Sequence, residues 1–148
     1  MTNSHDDGKL IPIKKRAREF VVQALYYYLI SGRTLTQNDL IFKMETNMEL
    51  FGKKNPERAQ AEKTYFEYVV TGMMKNITDL DAQIQKTFKG VFSEIAIVEQ
   101  AIVMVSVYEL SILKTPKRFV IAEALRLSDL FTDERFYKKL NAYLDTFE

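Results

Sequence analysis

The run from Ile95 to Leu113 constrains this chain more than any other segment. It covers nineteen residues with no Gly or Pro, and its only charges are Glu99 and Glu109. Its β-branched content (Ile95, Ile97, Val98, Ile102, Val103, Val105 and Val107) would suit a buried strand. A strand of that length without a turn signal is far from the usual 3–10 residues, so the segment reads as a helix over about 94–114. Two carboxylates within it disfavour a membrane span. Apolar residues on every face then make it a central helix around which others pack.

Local signals divide the rest into further helices. Asn55-Pro56 and Thr115-Pro116 each offer a capping side chain followed by Pro, whose missing N–H costs nothing in a first turn. Thr36 with Asp39, and Thr78 with Asp81, have capping-box spacing. Ser31-Gly32 ends the first helix, because Gly accepts a left-handed C-terminal cap. The resulting expectation is seven helices, at about 15–31, 37–47, 56–76, 78–89, 94–114, 116–131 and 133–147, with a loop over 48–54. Phe20, Ala24 and Tyr28 form the inner face of the first. With no alternating strand pattern, the fold class is all-α. Residues 1–13 read as a disordered N-terminal tail and 14–148 as one helical domain, since a chain of 148 residues needs only one core.

The net charge of +1 excludes a globally basic nucleic-acid protein. The charge is uneven, however: residues 1–18 carry +3 and the remainder −2. The absence of cysteine excludes disulfides and thiolate metal sites. The opening MTNSHDDGKL lacks the apolar stretch of a signal peptide, so the expected location is the cytoplasm, with no membrane association. Enzymatic parts are missing. The one histidine, His5, lies in the tail, and no phosphate-cradling Gly-rich loop or nucleophile motif occurs. Glu99 and Glu109 are separated by about 15 Å along a helix, too far for a cooperating carboxylate pair. No enzyme, cofactor or metal site is expected.

Lys14, Lys15, Arg16 and Arg18 place four cations in five positions and run without a break into the first helix. A macrodipole is positive at that end, so helix stability does not account for them. Successive helical residues rotate by about 100°, so the four ring the helix and only two or three face one ligand. Composition alone leaves two readings open, a solvated basic helix start and a small RNA grip in which Arg binds phosphate bidentately. Tyr26-Tyr27-Tyr28 must bring at least one ring to the surface, available to a base or to a protein partner.

These residues assemble into a resemblance. Lys15 to Tyr26 is similar to the arginine-rich motif and first helix of the NusB family of bacterial transcription antitermination factors. Val98 to Leu110, closing on Tyr108-Glu109-Leu110, resembles the family's central helix, and Pro116 to Ala124 its next helix start. Asn141 to Asp145 resembles the closing segment, and Tyr65-Phe66, Gly72 and Leu80-Asp81 fall in order between. The resemblance implies seven helices in two small antiparallel bundles. It implies binding to the boxA element of nascent ribosomal RNA, as a boxA-like single strand, together with the ribosomal protein NusE, in a complex with RNA polymerase and other Nus factors. RNA contacts would map to Lys14, Lys15, Arg16 and Arg18, and partner contacts to Tyr26 and Glu99.

Departures from the pattern are Met104 for an Arg, Ala122 for an Asn, and Lys138-Lys139-Leu140 where the family has Lys-Phe-Val. Lys138 and Lys139 would add phosphate contacts at the expense of a base-stacking ring. The alternatives are a helical protein-interaction module of the same fold with weak or non-selective RNA binding, and the RNA-binding domain of certain rRNA methyltransferases without its enzyme. The second is disfavoured because the chain starts and stops where the stand-alone family does. The sequence leaves a monomer and a homodimer both open.

Overall fold

The computed structural model describes the backbone of residues 2–52 and 55–147 and the side chains of residues 13–50 and 55–147. Among them are seven α-helices, one 3-10 turn and no strand: α1 (Thr2–Ile30), α2 (Gln37–Gly52), α3 (Pro56–Lys75), α4 (Ile77–Phe88), the turn Val91–Glu94, α5 (Ile97–Ser111), α6 (Lys117–Phe131) and α7 (Glu134–Asp145). They form two compact units, residues 1–74 with α1–α3 and residues 75–148 with α4–α7.

Capping chemistry sets most of the boundaries. At the start of α2, Thr36 N–H donates to Asp39 Oδ2 at 2.8 Å, and Asp39 N–H donates back to Thr36 Oγ1 at 3.2 Å. These bonds hold the Asp39 carboxyl below its ordinary value of 3.8. Asn55 Oδ1 accepts from Arg58 N–H at the start of α3, and Asp133 Oδ1 accepts from Phe136 N–H at the start of α7. At the end of α1, Gly32 has φ of +70°. Arg33 N–H donates to Tyr28 C=O at 2.8 Å and Gly32 N–H to Leu29 C=O at 3.0 Å. That pair of bonds is a Schellman motif, which needs a left-handed residue at the Gly32 position.

Several boundaries differ from the sequence reading, and α5, expected over about 94–114, runs only from Ile97 to Ser111 after a separate 3-10 turn. Helical backbone runs through the segment expected as a tail, and the side chains of residues 1–12 lie outside the described residues. Helix α2 continues through much of the expected loop to Gly52, while residues 53 and 54 are not described. At α4 the helix begins one residue early, after Asn76, without a side-chain cap bond, so Thr78 and Asp81 fall inside it. At α6 Pro116 itself is the capping position and the helix starts at Lys117. Thr115 instead folds back, donating its N–H to Glu109 C=O at 2.8 Å.

In the first unit α1 packs on α2, and the inner face of α1 comprises Ala17, Phe20, Val21, Ala24, Leu25 and Tyr28, all buried. The second unit is built around α5, which packs on α4, α6 and α7. Every residue from Ala101 to Leu110 is buried, as its all-round apolarity requires. Glu109 is buried within that run at 3% exposure, and Thr115 Oγ1 lies 3.5 Å from its Oε1. On α6, Glu123 accepts from Arg126 through both carboxylate oxygens, at 2.8 and 3.1 Å.

Two stability outcomes follow from the caps. Gly32→Ala should lower stability by about 1 kcal/mol in denaturant titration, because a Cβ is disfavoured in the left-handed region. Asp39 has a depressed folded-state pKa, so its contribution is present above 3.8 and lost as pH falls through the folded value. The melting temperature of Asp39→Asn should therefore sit below that of the unsubstituted chain near neutral pH, with the gap closing as pH falls past 3.8. A gap that stays constant into acid would remove Asp39 from the cap.

Candidate nucleic-acid interface

Lys14, Lys15, Arg16 and Arg18 lie well inside α1 rather than in its first turn. The macrodipole acts only within a terminal turn, so at this depth it neither opposes nor explains them. Helical rotation distributes the four side chains around α1. Lys14 is exposed, Lys15 and Arg16 are half-buried, and Arg18 is only 9% exposed. Arg18 follows the fully buried Ala17 and lies one turn before Val21 and Val22, which are also buried. Lys15, Arg16 and Arg18 each have an interaction partner within the fold. The segment thus grades from an open ammonium at Lys14 to a buried guanidinium at Arg18.

Lys14 Nζ stands 5.4 Å from the centroid of the Tyr65 ring on α3, within cation–π range. Tyr65 in turn lies 6.2 Å from Tyr68, one turn along α3, and Tyr68 is 59% exposed. The structure therefore brings an exposed cation and two tyrosine rings to one surface of the first unit. The i, i+3 spacing of Tyr65 and Tyr68 was the available signal for this pair. The sequence reading used Tyr65 only as part of a resemblance and did not single out Tyr68.

The three consecutive tyrosines of α1 separate as rotation requires. Tyr28 is buried, with the Arg33 guanidinium 5.6 Å from its ring. Tyr27 is half-buried under Lys43 Nζ at 4.5 Å. Tyr26 is the exposed member, its ring edge-on to Tyr27 at 6.1 Å. Alongside, Lys63 on α3 reaches Glu45 on α2 at 2.9 Å, and this hydrogen bond raises the Lys63 ammonium above its ordinary 10.5.

In the second unit Lys138 and Lys139 are exposed on α7. Lys138 is 3.7 Å from Glu134 in a surface pair that contributes little, and Arg135 beside them has a side chain 92% exposed. Glu99 is half-buried, and its Oε1 accepts from Ala96 N–H at 3.0 Å. This is one half of a capping box. Ala96 has no side-chain acceptor to complete it. Among the described residues no three His, Cys, Asp or Glu converge to hold a metal ion, and no helix is long and apolar enough to cross a membrane.

The arrangement offers phosphate-binding cations beside stacking rings. Comparison with known proteins agrees with the fold. A solved structure of T. maritima NusB superposes with a TM-score of 0.70 at 22% identity, covering 89% of this chain and 87% of that one. The transcription antitermination protein NusB of Haemophilus influenzae (strain PittEE) is 32% identical over 133 residues, covering 89% of this chain and 85% of the relative. The protein of the same name from Photorhabdus laumondii is 30% identical, covering 89% of each. With the NusB family's own sequence profile matching residues 15–148, this chain belongs to the NusB family.

Proposed function

We propose that this chain is a transcription antitermination factor that binds boxA-type single-stranded RNA of nascent ribosomal transcripts, jointly with the ribosomal protein NusE. It then joins the RNA polymerase complex with other Nus factors. Family membership supports the antitermination role. The observation that carries the RNA reading is the cation of Lys14 held over Tyr65, beside exposed Tyr68 and adjoining Lys15 and Arg16. Single strands are bound by such pairs of electrostatic groove and stacking platform. Lys138 and Lys139 are assigned to further phosphate contacts, which carry affinity rather than base selectivity.

Arg18 takes a different part in this proposal. At 9% exposure it chiefly holds the basic turn of α1 in place, and any ligand contact is limited to its exposed edge. Tyr26 and Glu99 are assigned to the protein partner. Tyr26 is an exposed ring, the residue type enriched at interface hot spots. Glu99 spends one oxygen on the α5 cap and keeps acceptor capacity for a donor from NusE.

The test is binding of boxA RNA and of a scrambled RNA, each with and without NusE, across a salt series. Preference for boxA with NusE present is the expected result, and equal affinity for both would refute selective recognition. Lys14→Ala with Arg16→Ala should weaken binding and flatten the salt slope by about 0.7 for each phosphate no longer neutralised. Arg18→Ala should in addition lower fold stability by about 1–3 kcal/mol, since a buried side chain and its interaction within the fold are lost. Lys14→Ala alone should leave stability within about 0.5 kcal/mol.

A further inference from the structure

A second basic site lies in the second unit and uses none of the residues assigned above. The ends of α4, α5 and α7 enclose a groove of about 790 Å³ lined by Lys86, Lys89, Lys114, Thr87, Tyr143 and Thr146, among others. Among the described residues no carboxylate lines it. The three lysines are exposed, and among the described residues none of them is ion-paired. Lys63 and Lys117, by contrast, are engaged locally, by Glu45 and by the Asp145 carbonyl, each at 2.9 Å. Among the described residues the groove therefore concentrates unpaired positive charge beside hydroxyl donors.

Cations near helix C-termini also complement the macrodipole, and Lys86 in the last turn of α4 needs no other account. The other two are different. Lys89 has φ of +47° and Lys114 φ of +58°, and they are two of the three non-glycine residues with positive φ among those described. A left-handed cap is where glycine is favoured and a Cβ is penalised. Dipole complementarity is available one turn earlier without that strain. Lysine held at both strained positions, facing one groove, points to a ligand.

The groove is open, and three exposed lysines would leave most of a small anion in water, whereas small-molecule sites bury 70–90% of their ligand. An open cationic groove with an aromatic wall suits a polymer that gains a little at each unit. Tyr143 supplies that wall and is held by Phe88, their ring centroids 4.5 Å apart. Helix α7 connects the groove with the assigned RNA contacts, since Lys138 and Lys139 sit in its first half and Tyr143 and Thr146 at its end. That separation runs from about 6 Å, for Lys139 to Tyr143, to about 12 Å, for Lys138 to Thr146, along a helix.

We infer that the Lys86–Lys89–Lys114 groove binds single-stranded RNA flanking the primary recognition element, through its phosphates and through one base stacked on Tyr143. The inference rests on RNA binding as proposed above.

The test compares a short boxA RNA with the same RNA extended by unrelated single-stranded sequence on either side, using the full chain with NusE. The extended RNA should bind roughly tenfold more tightly, with a salt slope steeper by about 0.7 for each additional phosphate neutralised. The combined variant Lys86→Gln, Lys89→Gly, Lys114→Gly should abolish that gain and leave short-RNA affinity unchanged. Its melting temperature should hold or rise, because both glycines relieve left-handed strain, so a purely structural role for these lysines predicts the opposite shift. Ultraviolet cross-linking of the unsubstituted chain to thiouridine-bearing extended RNA should mark Tyr143, which keeps the test decisive even if the variant fails to fold. An extended RNA that binds no more tightly, a gain the variant retains, or free nucleotide monophosphate binding in the groove as tightly as the polymer would each overturn the inference. Loss of short-RNA binding with a surviving lysine-dependent contribution from the extension would overturn the boxA reading and leave the groove standing. If neither RNA binds, both fall.

Discussion

The burial of α5 is the constraint on which the second unit depends. Ten consecutive residues, Ala101 to Leu110, are withdrawn from water. Each large apolar side chain among them is worth about 1.5–3 kcal/mol, set against the entropy of ordering the chain. No amphipathic arrangement on a single neighbour could satisfy such a helix, so α4, α6 and α7 all pack on it. That surrounds Glu109 with apolar neighbours and makes its partners obligatory. The chain after α5 folds back at Lys114 so that Thr115 meets both the backbone and the carboxylate of Glu109. The reversal that ends the central helix is thus part of what makes its buried charge tolerable.

The first unit solves a different problem, which is to hold cations in fixed geometry on a helix whose other face is core. Ala17, Phe20, Val21, Ala24 and Leu25 anchor α1, and the basic turn is carried on the same rigid backbone. Packing then sorts four chemically similar residues into different roles. Lys14 keeps its charge outside against Tyr65, and Arg18 turns its charge inward to a partner in the fold. A rigid presentation reduces the ordering entropy that a ligand would otherwise have to overcome.

The same sorting separates the lysines of the second unit. Where a carbonyl is in reach, as for Lys117, the charge is engaged locally. Beyond the ends of α4 and α5, Lys89 and Lys114 have left-handed backbone, and no acid among the described residues lines their groove. The turn at Lys114 serves the fold by returning Thr115 to Glu109, but that turn asks for a left-handed residue and not for a lysine side chain.

Much of the fold was legible in the residues, because period and capping are local. The Ile95–Leu113 run dictated a buried central helix by its length and composition. Thr36, Asn55 and Gly32 marked helix ends because each carries its own hydrogen-bonding or conformational preference. The expectations that shifted were those in which neighbours outvote local chemistry: Thr78 yielded its cap to a helix starting one residue earlier, and Thr115 was drawn off to Glu109. Of the candidate site, the sequence by itself determined which residue types could bind phosphate and that helical rotation would split them. Which cation is open, which is buried, and which tyrosines stand beside Lys14 was decided only by tertiary packing. Exposure and cross-helix proximity depend on residues tens of positions away, and no local pattern encodes them.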